Sequence, residues 1–511
     1  MPSDQHYSIP DPDAARAFID GLVERFTVLE ETSVFKKQRY YDTLDWRLYN
    51  KSLVLSACGN RLVLRKLKKN KPIHCMQIST MPVFARDFPA GEFQNHLAPI
   101  IKIRALVAIA ALEVCSVPYR ILNSDKKTVA RLVYQRFQLI GGTHEPILHA
   151  YWCLKPVKGY TKTARKLSRR IQNAGFAAAD AEALYINTLM SVNKTPGAYH
   201  TKIALQFDPE MRADEAVRAL LHFLQQVMRY NETYIEMDLD TECLHDFRVA
   251  VRRTRSALGQ IKEVIPPRVL ARFKKDFAYI GKSTNALRDL DVYLLKEDEY
   301  RSMLPAALQE DIVPLFDYLK KRRTGALKQV IRTLKTKKYN SIMRDWNDFL
   351  QQPATDAADL SNAGRPIFEL AREIITKKHT RIIKIGRRIL VDRQDEKLHV
   401  LRIHCKKLRY LLEFFASLFP PRKVKALISQ LKKLQDNLGD YHDLCVQRAY
   451  LITLIEEGTF SRQASPKTLA AIGSLIGTLE KKTLHVKNAF ENAFGDFASP
   501  SAQALFQEVV Q

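Results

Sequence analysis

A 15-residue pattern of basic and apolar residues occurs twice in this chain, 154 positions apart, and this duplication constrains the fold more than any other feature. The first copy runs from Leu244 to Leu258 and the second from Leu398 to Leu412. In both copies the basic and the apolar residues recur every three or four positions, which predicts two amphipathic helices. Basic residues stacked on one helix face repel one another, so the pattern costs stability unless an anion lies against it.

A second motif repeats at the same offset. The box Arg288-Asp289-Leu290-Asp291-Val292 aligns with His442-Asp443-Leu444-Cys445-Val446. Two motifs duplicated in one register indicate an internal repeat, and duplicated helical units commonly pack about a pseudo-twofold axis. We therefore predict that the two basic stripes face each other across one cationic groove. The predicted stripes are His245, Arg248, Arg252 and Arg255 on one helix, and His399, Arg402, Lys406 and Arg409 on the other.

The chain beyond about residue 210 shows helical periodicity throughout. The predicted helices are 212–238, 241–264, 267–286, 288–300, 308–350, 365–392, 395–418, 421–437, 440–457 and 466–495. The polar segment 351–364 is predicted to link two halves, repeat 1 at about 210–350 and repeat 2 at about 365–495. This organisation defines a predicted all-α domain over 193–511.

The first part of the chain, 1–192, has a different pattern. A helix is predicted from Asp11 to Phe26, followed by short segments rich in branched and aromatic residues. The predicted strands are 34–41, 53–57, 61–67, 73–80, 119–124, 128–139 and 147–154, and the closing helices are 161–175 and 177–190. These elements predict an antiparallel, barrel-like β domain, which makes the whole chain α+β.

Charge is the outlier of the composition. The chain carries 81 Lys and Arg against 55 Asp and Glu, a formal net charge of +26, which favours a polyanionic partner. Seven scattered cysteines without a Cys-x-x-Cys pair fit a reducing compartment. With no predicted signal peptide or membrane span, we expect a cytoplasmic protein.

The duplicated helices and boxes resemble the CHAD domain, named for histidines in an α-helical domain. The resemblance covers roughly residues 195–511 and rests on two motifs, their order and their duplication. It implies two helical bundles related by pseudo-twofold symmetry around a basic cavity or surface. It also implies binding of inorganic polyphosphate, often on polyphosphate granules.

The first part of the chain resembles a degenerate CYTH domain, the triphosphate tunnel fold that often precedes a CHAD domain. The segment Tyr40-Tyr41-Asp42-Thr43 is similar to a family motif, and Arg61-Leu62-Val63-Leu64-Arg65 is similar to a basic family strand. The defining Glu-x-Glu-x-Lys strand is reduced, because Asp4 keeps the only carboxylate there and His6 stands where Lys is expected.

A CYTH triphosphatase needs several carboxylates to hold Mg²⁺ or Mn²⁺, together with cations for the phosphates. Most of these acids are missing here, so enzyme activity is uncertain and we predict no catalytic residue. Mg²⁺ or Mn²⁺ would be required only if this domain were active. The cations that remain for triphosphate are Arg61, Arg65, Lys127 and Arg131.

The helical half has the composition for binding polyphosphate, since Arg offers paired donors and Lys a point charge. The predicted polyphosphate ligands are His245, Arg248, Arg252, Arg253, Arg255, Arg288, Lys377, Arg381, Lys384, Arg388, His399, Arg402, Lys406, Lys407 and Arg409. Asp289 and Asp443 are predicted to orient these cations through ion pairs rather than to bind a metal.

Three functions remain open at this point. The first is a polyphosphate-binding protein associated with polyphosphate granules, without a metal or other cofactor. The second is a metal-dependent inorganic triphosphatase, and the third is a general nucleic-acid-binding protein driven by the same positive charge.

Overall fold

The structure, a computed structural model, describes residues 4–68, 71–140, 147–352, 360–392 and 396–510. The chain divides into two compact units, Met1–His200 and Thr201–Gln511. The first contains an antiparallel sheet and the second is helical, so the predicted α+β class is confirmed. Residues 353–359 of the predicted linker lie outside the described residues. Within the described ranges, no helix is both long enough and apolar enough to cross a membrane.

The described residues of the first unit form ten strands and four helices. The strands are β1 (Gln5–Ile9), β2 (Thr27–Glu30), β3 (Val34–Asp42), β4 (Leu53–Cys58), β5 (Arg61–Lys66), β6 (Lys71–Gln77), β7 (Val107–Leu122), β8 (Thr128–Leu139), β9 (Ile147–Pro156) and β10 (Ala178–Ala179). The helices are α1 (Pro12–Val23), α2 (Glu92–Ile101), α3 (Thr161–Asn173) and α4 (Ala181–Met190).

The strands form one antiparallel sheet in the order β10-β1-β9-β8-β7-β3-β4-β5-β6, and β2 pairs with β7. Among the described strands this path is open, with β10 and β6 at its ends, so the sheet is not a closed barrel. Sequence reasoning underestimated β7, which was predicted only over 119–124. Its N-terminal part, beginning at Val107, pairs with β3.

The two faces of the sheet have different environments because side chains alternate along a strand. Leu132 on β8 and Trp152 on β9 are buried in a core with Leu167 of α3. Gln135 and Tyr151, which point the other way, line a polar cavity. One face of the sheet therefore packs against a helix, and the other face lines a cavity.

The second unit is a set of thirteen α-helices within the described residues. They are α5 (Ala213–Glu236), α6 (Thr241–Gln260), α7 (Pro267–Ser283), α8 (Asn285–Leu294), α9 (Glu297–Ser302), α10 (Val313–Leu334), α11 (Lys337–Gln351), α12 (Ile367–Asp392), α13 (Glu396–Phe414), α14 (Pro421–Glu456), α15 (Pro466–Asn488), α16 (Phe490–Ala498) and α17 (Pro500–Val510).

Backbone hydrogen bonds relate the two halves of this unit by the repeat offset. The amide of Ala213 donates to the carbonyl of Arg365 at 2.9 Å, and the amide of Ile367 donates to the carbonyl of Met211 at 2.8 Å. Each donor and each acceptor is 154 positions from its counterpart, so the contact is reciprocal, as a twofold axis requires. Helices also pack against their own counterparts, α5 against α12, α6 against α13 and α10 against α15. The predicted pseudo-symmetric bundles are confirmed.

Several predicted helix boundaries were wrong. The predicted helix 288–300 is divided between α8 and α9, and 466–495 is divided between α15 and α16. The break expected near Gly439 does not occur, and α14 is continuous because apolar residues such as Leu438 and Leu451 are buried on both sides of the glycine. A single helical glycine costs only about 1 kcal/mol, which this packing offsets. Conversely, the predicted helix 308–350 is interrupted at Thr336, whose side chain accepts a hydrogen bond from the Tyr339 amide and caps α11.

Candidate anion-binding groove

The two duplicated basic helices, α6 and α13, pack against each other. Asp240 starts α6 by accepting hydrogen bonds from the amides of Glu242 and Cys243. Leu244 and Phe247 on α6, and the equivalent apolar positions of α13, are buried. This burial fixes the rotation of both helices, and the basic stripes are left at the seam between the halves.

Arg252 of α6 reaches across this seam. Its Nε donates a hydrogen bond to the hydroxyl of Tyr410 on α13 at 2.5 Å. Burial, together with repulsion from Arg402 and Arg252, lowers the pKa of Lys406 to about 8. The pKa of Arg402 is also lowered, by burial first and by repulsion from Arg252 against the attraction of Asp443. The structure therefore brings cations from both repeats together.

Arg248 and Arg288 complete this concentration of charge on the first half. Burial lowers the pKa of Arg248 to about 10, and repulsion from Arg252 and Arg288 opposes the attraction of Asp289. Burial also lowers the pKa of Arg288, and repulsion from Arg252 adds to this lowering. We use the name groove for Arg252 and the four cations whose pKa its charge lowers. The groove consists of Arg248, Arg252, Arg288, Arg402 and Lys406.

The two predicted orienting acids occupy equivalent positions. Asp443 accepts an ion pair from Arg402 at 3.1 Å between Nη2 and Oδ1. Asp289 attracts Arg248, while the Arg248 guanidinium donates to the Thr284 hydroxyl at 2.7 Å and to the Gly281 carbonyl at 3.0 Å. Both acids lie beside the arginine expected from the repeat.

The histidines of the second half form a pair that sequence reasoning did not predict. Nδ1 of His399 lies 3.3 Å from Nδ1 of His442, which is the first residue of the second box. Burial lowers the pKa of His442, as does repulsion from Arg402 and His399. The equivalent of His442 in the first half is Arg288, so one half carries a permanent charge where the other carries an imidazole. His245, the equivalent of His399, is partly buried on α6.

Two predicted ligands are engaged in an ion-pair network between the halves. Arg253 donates to Glu413 at 2.7 Å, and Arg409 pairs with the other oxygen of the same carboxylate at 3.3 Å. Glu413 lies four residues after Arg409, a spacing that could have indicated the pair from sequence. The residue equivalent to Glu413 in the first half is Gly259, so the first half has no acid at this position.

The remaining predicted ligands lie outside the groove. Lys377 pairs with Glu373 at 3.8 Å and Arg388 with Asp392 at 3.5 Å, both along α12. Lys384 of α12 and Arg255 of α6 are exposed. Arg381 and Lys407 belong to a separate cluster between α12 and α13. For the described part of the chain, no contact joins the α12 residues to the groove.

The cavity of the first unit has a volume of about 270 Å³ and is lined by β1, β9 and β8, by β3, β4 and β5, and by α4. Arg65 lies in it and donates to the Ser56 hydroxyl at 3.0 Å. Arg61 is exposed and donates to Cys75 Sγ at 2.9 Å, and Lys127 and Arg131 are also exposed. Thus only Arg65 of the four predicted triphosphate ligands lines the cavity.

The described lining of this cavity does not fit a bound Mg²⁺ or Mn²⁺. Asp4 is the one carboxylate among the described lining residues, and the remaining oxygen ligands would come from neutral groups such as Ser56 and Gln135. Both metals prefer several carboxylate oxygens, and Arg65 and Lys155 in the same lining would repel a cation.

Comparison with known proteins agrees with the helical geometry. Residues 218–451 match the sequence profile of the CHAD domain. The second unit therefore contains a CHAD domain at residues 218–451, as the duplicated motifs predicted. The open antiparallel sheet of the first unit is consistent with the predicted CYTH-like fold.

Individual relatives are distant. The uncharacterized protein MT2285 of Mycobacterium tuberculosis is 23% identical over 297 residues, which are 57% of this chain and 54% of the relative. The chain thus spans about half the length of the curated relative it matches. The crystal structure of the CHAD domain from the plant Ricinus communis is 25% identical, with a TM-score of 0.48 over 58% of this chain and 96% of that one. HpAC1 from Hippeastrum, described as having a dominant triphosphatase activity, is 12% identical, with a TM-score of 0.26 over 39% of this chain and 99% of that one.

Proposed function

We propose that the protein binds inorganic polyphosphate in the groove between α6 and α13. The observation that carries this proposal is the position of Arg252, which lies among Arg402 and Lys406 of the other repeat. Arg402 and Lys406 are partly buried and the charge of Arg252 lowers the pKa of both, so this arrangement is costly in the free protein. A bound polyanion would offset that cost, and polyphosphate is the polyanion that the CHAD domain suggests.

Polyphosphate suits this groove chemically. Each internal phosphate presents oxygens to the forked donors of Arg252 and Arg402, while Lys406 acts as a point charge. The partners of the groove residues are compatible with binding, because Asp443 and Tyr410 each hold one guanidinium edge and leave other donors available. The chain would release counterions on binding, so affinity should fall steeply with salt.

Association with polyphosphate granules follows from the same proposal. A net charge of +26 and the concentrated cations of the groove would retain the protein on a dense phosphate surface. Granule association is tested by sedimenting washed granules with the purified protein and comparing the bound fraction of wild type with that of the groove variant defined below.

A competition titration tests polyphosphate against the alternatives. Fluorescently labelled long-chain polyphosphate is bound to the protein, and unlabelled polyphosphate, tripolyphosphate and single-stranded RNA are added at equal phosphate concentration. We expect unlabelled polyphosphate to displace the label at a concentration at least about tenfold below that of RNA. Equal displacement by RNA would favour general nucleic-acid binding and contradict the proposal.

A matched pair of variants tests whether polyphosphate binds in the groove. The groove variant, Arg252→Ala with Lys406→Ala, removes one cation from each half. The control, Arg165→Ala with Lys166→Ala, removes the same charge from exposed positions of α3 in the first unit. We expect only the groove variant to weaken polyphosphate binding. The triphosphatase alternative is tested in the same preparations by phosphate release from tripolyphosphate with Mg²⁺ or Mn²⁺, for wild type and for Arg65→Ala.

A further inference from the structure

A second concentration of positive charge lies between α12 and α13, away from the groove. Lys378 and Arg381 are three residues apart on α12, and His404 and Lys407 are three residues apart on α13. Each spacing places two side chains on one helix face, and the two helices pack together. We call these four residues the α12 cluster. Lys407 directly follows the groove residue Lys406, so the two sites lie on neighbouring faces of the same helix.

The charges of the α12 cluster are not neutralised. None of Lys378, Arg381 and Lys407 forms an ion pair with a carboxylate in the described part of the chain. Burial lowers the pKa of Lys378, and repulsion from Lys407 and Arg381 lowers it further. By contrast, Asp443 pairs with the groove residue Arg402, and Glu413 pairs with Arg253.

His404 adds an unused polar group to the α12 cluster. Its Nδ1 atom is buried and has no hydrogen-bond partner among the described residues. Burial lowers the pKa of His404 to about 4, and Lys378 and Lys407 contribute to this shift. The imidazole is therefore neutral at pH 7, and one of its nitrogens carries a proton that can be donated to an anion. A buried polar group without a partner costs about 1–3 kcal/mol, which a ligand would relieve.

The repeat shows that the α12 cluster occurs in the second half and not in the first. The first-half equivalents of Lys378, Arg381 and His404 are Leu224, Val227 and Ala250, and all three are buried apolar residues. The equivalent of Lys407 is Arg253, which Glu413 neutralises. The twofold groove therefore does not require these cations, and packing does not explain them.

We propose that the α12 cluster is a second anion site, specific for a compact phosphate group and independent of the groove. Lys378, Arg381 and Lys407 would supply the charge, and the neutral His404 would donate one hydrogen bond. Free pyrophosphate and a segment of a longer polyphosphate present the same chemistry to this site. The choice of phosphate as ligand rests on the function proposed above, whereas the site itself does not depend on the groove.

Calorimetric titration of pyrophosphate into the full-length chain tests this site. The groove variant, Arg252→Ala with Lys406→Ala, is the background, because it removes competing binding in the groove. We expect one pyrophosphate per chain to bind in that background. Adding Lys378→Ala and Lys407→Ala should weaken this binding at least about tenfold, since two charged contacts are lost. Adding Lys162→Ala and Lys166→Ala, an equal charge loss on exposed residues of α3, should change it less than about twofold.

Three results would overturn the proposal. They are an absence of pyrophosphate binding in the groove background, unchanged binding after the Lys378 and Lys407 substitutions, and an equal loss in the Lys162 and Lys166 control. Folding is checked by the thermal midpoint, which the cluster substitutions should leave equal or raise, because repulsion is relieved. If the thermal midpoint falls, the titration is repeated with Lys407→Gln alone. This variant keeps most of the side-chain volume and should still weaken pyrophosphate binding.

Long-chain polyphosphate forms the second arm of the experiment. If the groove variant binds the polymer more weakly than wild type but still binds pyrophosphate, the two sites are independent and both proposals hold. If the groove variant binds the polymer as tightly as wild type, the groove proposal fails, and the pyrophosphate data alone decide the α12 cluster. The His404 ring provides a direct readout, since its NMR signals should shift on pyrophosphate addition and not on addition of sodium chloride at equal ionic strength.

Discussion

Replacing Lys406 by Arg should remove most of the pH dependence of polyphosphate binding between pH 7 and pH 9. In the free groove, burial and the neighbouring Arg402 and Arg252 lower the pKa of Lys406 to about 8. A bound polyanion favours the charged form and raises this pKa, so binding is accompanied by proton uptake. Affinity is therefore fully present below pH 8 and is lost as the pH rises through the pKa of the free protein.

The size of the effect follows from the two protonation states. A group with a pKa of about 8 is about nine-tenths charged at pH 7 and about one-tenth charged at pH 9. If the bound form stays charged, the wild-type Kd rises about tenfold over this range. An arginine at position 406 stays charged throughout, so the Kd of Lys406→Arg should change less than about twofold.

Fluorescence anisotropy with long-chain polyphosphate measures this at constant ionic strength. Long chains are needed because only their few terminal phosphates titrate near neutral pH. Lys166→Arg, at an exposed position of α3, is the matched control and should keep the wild-type slope. A wild-type Kd that does not change between pH 7 and pH 9, or an equal slope in Lys406→Arg, would refute the reasoning.

Three further predictions concern stability and salt. Gly386→Ala should lower the free energy of unfolding by about 1–3 kcal/mol in urea titrations, because the Phe494 ring occupies the space of the new methyl group. The control Gly473→Ala should be neutral or stabilising, because its new methyl group would have no neighbour within 4 Å. Equal effects of the two substitutions would contradict the packing. Glu413→Gln should lower the free energy of unfolding by about 1–3 kcal/mol, since Arg253 loses its carboxylate, and an unchanged urea midpoint would exclude a structural role for this pair. Arg252→Ala should reduce the slope of log Kd against log salt by about 1, and an unchanged slope would place Arg252 outside the phosphate contact.

The duplicated motifs were sufficient to predict the architecture of the second unit. The offset of 154 fixed which helices are equivalent, and reciprocal bonds such as Ala213 to Arg365 and Ile367 to Met211 show the twofold arrangement that this offset implied. The pairing of Arg402 with Asp443 was also predictable, because the His and Asp boxes are duplicated in register. A repeat carries information on contacts between distant residues that a single helix pattern does not.

Other features could not be read from the sequence, because they depend on how the helices rotate and which acids lie nearby. Arg253 and Arg409 belong to the basic pattern, yet Glu413 engages both. Lys377 and Arg388 follow a helical stripe, but α12 places them beside their own acids, away from the groove. The length of β7 was missed because side chains on both faces of its apolar run are buried, such as Ile109 and Ala110, which hides the alternation of a half-buried strand.

The polyphosphate affinity of the groove variant tests the central claim most directly. Wild type, the variant with Arg252→Ala and Lys406→Ala, and the control with Arg165→Ala and Lys166→Ala are titrated with long-chain polyphosphate at moderate salt. The groove account predicts a loss of affinity of at least about a hundredfold in the groove variant, since two charged phosphate contacts disappear, and a loss of less than about threefold in the control. Equal losses in the two variants, with unfolding midpoints unchanged, would contradict it and leave net charge alone as the cause of binding.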